Sequence, residues 1–254
     1  MAEPARIVRL SIAYDGTDFR GWARQRGSVR TVQGELEQAL ARVLPAPVSL
    51  SVAGRTDAGV HASGQVASFQ PPGDADLDLT DLRRRCNAQV SPEIVVREAT
   101  WAPAGFDARF SATAREYRYR IDISDAPDPF SARTTWHRRG DLSLRRMRMA
   151  ARYLEGEHDF ASFCRTPQAG GSSVREVERV SVSRQGAVVQ IFVRANAFCH
   201  QMVRALAGTL VGVGAGRLEP DAIPAILAAR DRSAAPQIAP PHGLTLERVV
   251  FGRR

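Results

Sequence analysis

Ser51-Val-Ala-Gly-Arg-Thr-Asp-Ala-Gly-Val-His-Ala-Ser-Gly-Gln-Val-Ala-Ser-Phe69 reads as strand, loop, strand. The apolar positions Val48, Leu50 and Val52 predict a strand near 48–53, and the run ending Val66-Ala67-Ser68-Phe69 predicts a second near 64–70. Between them, Gly54 and Gly59 permit the backbone angles of a tight loop. That loop presents the carboxylate of Asp57 two residues from the guanidinium of Arg55. A carboxylate kept ionised by a nearby cation suits covalent or general-base work. For the bare Arg-Thr-Asp triplet, a structural pair closing a turn is the preferred reading.

Outward from this loop, strands and helices alternate. Val8, Leu10, Ile12 and Tyr14 share one face of a strand over 7–14. Thr31 caps a helix with an apolar stripe of Val32, Leu36, Leu40 and Val43, which Pro45 ends. A helix over 79–90 and a strand from Ile94 to about Thr100 close the first half. In the second half, Tyr117, Tyr119, Ile121 and Ile123 alternate on a strand, and Leu144 to Leu154 reads as a helix. Runs near 174–183 and 187–195 form a hairpin through Gln185-Gly186. A helix over 199–213 and a strand from Leu244 to Phe251 follow. Loops are expected at Pro71–Asp74, Thr166–Gly171 and Ala234–Pro241. This order predicts an α+β fold of two units, residues 1–104 and 105–254, each a mainly antiparallel sheet covered by helices on one face.

At 254 residues the chain is long enough for one large or two modest cores. No run approaches the roughly 20 apolar residues of a membrane span. Residues 1–6 lack the apolar stretch of a secretory signal. Three scattered cysteines argue against a disulfide framework and, with these observations, predict a cytoplasmic protein. No CxxC or HxxxH spacing marks a metal site. The net charge is +8, and all 35 basic residues are arginine. Arginine's planar fork binds phosphate bidentately and stacks on bases. Excess positive charge suits a polyanionic partner, although a solvated basic surface explains charge alone equally well. The clusters Arg83-Arg84-Arg85 and Arg145-Arg146-Met147-Arg148 fall on helices and fit either a solvated face or a phosphate track.

The longer string Gly54-Arg55-Thr56-Asp57-Ala58-Gly59-Val60-His61-Ala62 resembles the active-site motif of the tRNA pseudouridine synthase A family. Five further segments match that family in order: Tyr14–Trp22, Phe106–Tyr119, Gly156–Phe163, Asn196–Arg204 and Pro241–Leu244. The resemblance covers the chain from about Arg6 to Phe251. It implies two ferredoxin-like or RRM-like sandwiches meeting at a basic active-site cleft, a homodimer, and isomerisation of uridine to pseudouridine at positions 38, 39 and 40 of the tRNA anticodon arm. No cofactor or metal is implied.

By the same resemblance Asp57 is the catalytic carboxylate, and attack on C1′, addition to uracil C6 and removal of the C2′ proton all remain open to it. Arg55 assists in flipping the target base out of its stack. Tyr117 lies in the pocket, Arg204 is a second active-site arginine expected to pair with Asp57, and Leu244 packs on the uracil. From the residues alone, Tyr117 and Tyr119 are equally core aromatics, and the family match separates them. His61 reads as structural or RNA-contacting. Glu116 departs from the family, which often carries a basic residue there. Two other classes fit part of the sequence: an RNA binder without turnover, and a glycoside hydrolase using Asp15 and Asp18. The first needs only a basic cleft, and the second leaves the basicity unexplained.

Overall fold

The computed structural model describes residues 6–73, 77–165 and 171–252. The loop expected at Thr166–Gly171 therefore falls mostly outside the described residues, as does Asp74. The fold is mixed α/β with mostly antiparallel strands, as the alternation of elements predicts. It divides into two compact units: the described residues up to Thr113 with those from Leu246 onward, and Ala114–Thr245.

In the first unit the sheet runs β4-β1-β3-β10, where β1 is Ile7–Tyr14, β3 His61–Phe69, β4 Ile94–Ala102 and β10 Leu244–Phe251. β1 lies antiparallel between β3 and β4, with Leu10 opposite Ala67 on one side and Ala99 on the other. Its strict alternation buries Val8, Leu10, Ile12 and Tyr14. Two helices accompany the sheet. The first, α1 (Val32–Val43), starts where the Thr31 side chain accepts the Gly34 amide and buries Val32, Leu36 and Leu40. The second, α2 (Leu79–Val90), is capped by Asp78 and packs on β4 and α1.

The strand expected near 48–53 shrinks to β2, Ser51–Val52, which pairs with β3. The reason lies next to it: the Leu50 amide is bound by the Glu37 carboxylate of α1 at 3.0 Å, so it is not offered to a ladder.

The second unit carries the order β5-β9-β8-β7, with β5 Ala112–Asp122, β7 Gly156–Asp159, β8 Val174–Gln185 and β9 Val188–Ala195. β8 and β9 form the expected hairpin. Short β6 (Trp136–His137) adds to β5 in parallel, and no sequence signal marked it. Helix α3 (Leu144–Arg152) packs on β8 and on α4 (Met202–Gly214). A further helix, α5 (Ile223–Ala229), was not anticipated; Pro224 fits its first turn. α4 begins three residues later than expected because Gln201 is left-handed, at φ 66°. Every residue of α4 except Arg204 is buried.

The cysteine count argued against a disulfide framework. The structure nevertheless pairs Cys164 with Cys199, Cα atoms 5.7 Å apart, and leaves Cys86 as a buried thiol.

Candidate active site

In the first unit the Gly54–Gly59 loop is held from both ends and from beneath. At its entry the Ala53 amide donates to Val66 O at 2.9 Å, and Gly54 O accepts the Gln65 side chain at 2.8 Å. At its exit Gly59 takes φ 77° and the Val60 amide closes a turn onto Asp57 O at 3.1 Å. Between them, Thr56 points inward. Its hydroxyl lies 2.7 Å from that of Tyr14, which in turn accepts from Gln65 at 3.3 Å. Burial pushes the Tyr14 hydroxyl up to about 12, against the opposing effect of those two hydrogen bonds, so it stays neutral and able to donate.

The backbone of the Tyr14–Trp22 segment completes the clamp. The Trp22 amide donates to Thr56 O at 3.0 Å. Gly21, at φ 92°, passes so near that an added Cβ would stand 2.8 Å from the same oxygen. The inward Thr56 leaves its two neighbours facing the other way: Arg55 is exposed and Asp57 half-buried. The clamped loop thus carries an exposed arginine and a half-buried aspartate on one short turn.

His61 is buried, and its Nδ1 accepts the Gly16 amide at 3.0 Å. The Asp15 carboxylate lies 3.2 Å from the same nitrogen. His61 thus packs within the first unit with its Nδ1 engaged by backbone. Asp15 is committed locally, accepting from the Thr17 amide at 3.0 Å and hydroxyl at 2.6 Å. That Asx turn gives Asp15 a local structural role.

Tyr117, Arg204 and Leu244 belong to the second unit. Tyr117 is 7% exposed on β5, and its ring meets Phe198 edge-on, centroids 5.1 Å apart. Phe198 lies in the matched Asn196–Arg204 segment, and only the folded chain shows that it touches Tyr117. Arg204 is the one residue of α4 that is not buried, and its Nε donates to Ala239 O at 2.9 Å. Leu244 is buried at the start of β10.

Glu116, the departure from the family pattern, has a partner of its own. Arg194 binds it at 2.7 Å across the β5–β9 ladder and binds Glu178 as well. The arginine clusters are also partly engaged. Arg84 pairs with Asp81, Arg146 donates to Val213 O and Leu218 O, and Arg148 donates to Val182 O. Among the described residues no group of three or more His, Cys, Asp or Glu is arranged to hold a metal ion, and no helix is long and apolar enough to cross a membrane.

A sequence profile described as tRNA pseudouridine synthase matches residues 10–111 and 150–252. A tRNA pseudouridine synthase A of Frankia casuarinae is 48% identical over 251 residues, covering 96% of this chain and 89% of that protein. One of Geobacter sulfurreducens is 41% identical over 246 residues, covering 97% of this chain and all of that protein. The first segment includes the clamped loop and the second the Arg204 helix and β10, while Tyr117 lies between them. The chain belongs to the tRNA pseudouridine synthase family.

Proposed function

We propose that this isomerase converts uridine to pseudouridine at positions 38, 39 and 40 of the tRNA anticodon arm, with Asp57 as the catalytic carboxylate. The reaction breaks the bond from ribose C1′ to uracil N1 and forms one from C1′ to C5. The C5 hydrogen leaves and N1 gains a proton, so atoms and electrons balance without an oxidant or a co-substrate. What the chain must supply is an ionised carboxylate at the sugar or base, a means of extruding the uridine, and a pocket that keeps the cut uracil in place while it turns.

The observation that carries this reading is the attitude of the Arg55-Thr56-Asp57 turn. Thr56 is anchored inward on Tyr14, so Arg55 and Asp57 are presented together by a backbone fixed on both sides. Preorganisation of this kind places a reacting group without a conformational cost at the moment of reaction. Arg55, being exposed, is suited to contact phosphate and to stand where the extruded base had stacked. Tyr117, Arg204 and Leu244 hold the target uridine, and the basic surface binds the tRNA. A homodimer in the cytoplasm is part of the same proposal, on family grounds. Because one site serves three adjacent positions, recognition rests on the shape and flexibility of the arm rather than on base edges.

Asp57→Asn tests the assignment. The variant is expected to bind tRNA as the parent protein does and to form no pseudouridine. Normal turnover in Asp57→Asn would remove Asp57 from the chemistry, and joint loss of binding and folding would make it structural.

A further inference from the structure

Arg204 is held by a short strap of chain that Tyr119 locks in place. Residues 237–243 run along α4 and across the face of β5. Gly208, one turn beyond Arg204, receives the Gln237 carbonyl where any Cβ would overlap it. The strap then meets Arg204 twice through one residue: the Ala239 amide donates to Arg204 O at 3.1 Å, and Ala239 O accepts Arg204 Nε at 2.9 Å. The next carbonyl, Pro240 O, accepts the Tyr119 hydroxyl at 2.8 Å. Finally Gly243 lies on the Tyr119 ring, where an added Cβ would stand 2.6 Å from Cζ.

Tyr119 itself is wholly buried, its ring edge-on to Trp136 at 6.2 Å. A buried phenol needs a partner for its O–H, and the strap supplies one. Burial pushes this hydroxyl well above the ordinary tyrosine range, with the Arg204 charge acting the other way, so it remains a donor. A phenylalanine would fill the slot equally well. The hydroxyl therefore has one structural consequence, which is to fix Pro240 and, one residue before it, the carbonyl that orients the Arg204 guanidinium.

We propose that Tyr119 is a positioning residue for isomerisation, acting through Pro240 and Ala239 to aim Arg204. This rests on the reading of Arg204 as a uridine-binding residue. Freed from its latch, the strap would shift the Ala239 carbonyl and with it one of the contacts that set the angle of the guanidinium. Misplacement of a reacting or binding group by about 1 Å costs on the order of 100-fold in rate.

Single-turnover kinetics and tRNA binding are measured for Tyr119→Phe, Arg204→Ala and the double variant. Tyr119→Phe is expected to slow isomerisation by about tenfold or more with its tRNA Kd within about twofold of the parent. The double variant is expected to be no slower than Arg204→Ala, because a residue that acts through another adds nothing once that other is gone. Gly243→Ala, which presses the strap from the ring side, is expected to behave as Tyr119→Phe does. Parental turnover in Tyr119→Phe beside a slow Arg204→Ala overturns the latch and leaves the Arg204 reading intact. Losses that multiply in the double variant also overturn it. Parental turnover in Arg204→Ala overturns the reading of Arg204, and the latch with it.

Discussion

Thr56 shows how much of the proposed site depends on a buried residue that anchors its turn. Its hydroxyl and its carbonyl are both engaged, by Tyr14 and by the Trp22 amide, and these two contacts set the turn that displays Arg55 and Asp57. Thr56→Val keeps the shape and removes the hydroxyl, leaving the buried Tyr14 phenol with Gln65 at 3.3 Å. Leaving a buried polar group under-satisfied costs about 1–3 kcal/mol. Thr56→Val is therefore expected to lower the unfolding free energy by roughly that amount, and to slow turnover more than it weakens tRNA binding. Chemical denaturation beside steady-state kinetics would check both, and a variant as stable and active as the parent would show that the clamp is dispensable. His61 carries a related lesson. Four residues from Asp57, it invites an acid–base or metal reading, yet it is buried and its Nδ1 accepts the Gly16 amide.

At the level of elements, α1 holds the chain that leads into β2 and the loop. Glu37, buried on α1, accepts the Leu50 amide at 3.0 Å and the Gln33 side chain at 2.8 Å, and thereby ties the helix to the chain entering β2. Glu37→Ala would strand the Leu50 amide and is expected to cost about 1–3 kcal/mol of stability. Glu37→Gln keeps an acceptor and is expected to cost less; equal losses in a denaturant titration would mean that charge, not acceptance, is what matters. Elements with a strong period were legible in the sequence: β1 by its alternation, α1 by Thr31 and its apolar stripe, and the β8–β9 hairpin by Gln185-Gly186. Those fixed by distant partners were not. β2 shortens because a side chain from α1 takes its amide, α4 starts late because Gln201 turns left-handed, and two-residue β6 has no period to read. The proposed site shows the same division. Arg55, Asp57, Tyr117, Arg204 and Leu244 were nameable from motifs, whereas Phe198 against Tyr117, Tyr14 beneath Thr56 and the Tyr119 latch are contacts across 42 to 121 residues of chain that no local pattern reports.

For the whole molecule, the decisive property is a net charge of +8 carried by arginine alone among its basic residues. Several of these arginines are engaged within the fold, as Arg146, Arg148 and Arg194 are, so the polyanion must be met by a subset. Binding through arginine–phosphate contacts releases counterions, and log K falls linearly with log salt. tRNA affinity is accordingly expected to weaken steeply between 50 and 200 mM salt, roughly 10-fold or more for a few contacts; a flat response in filter binding would set aside the electrostatic account. The most direct test of the catalytic claim is release of tritium from tRNA labelled at C5 of uridine, with purified protein and no added cofactor. The account predicts release by the parent protein, pseudouridine mapping to positions 38–40, and no release by Asp57→Asn although tRNA stays bound. Tight binding by the parent without release, or release undiminished in Asp57→Asn, would contradict it.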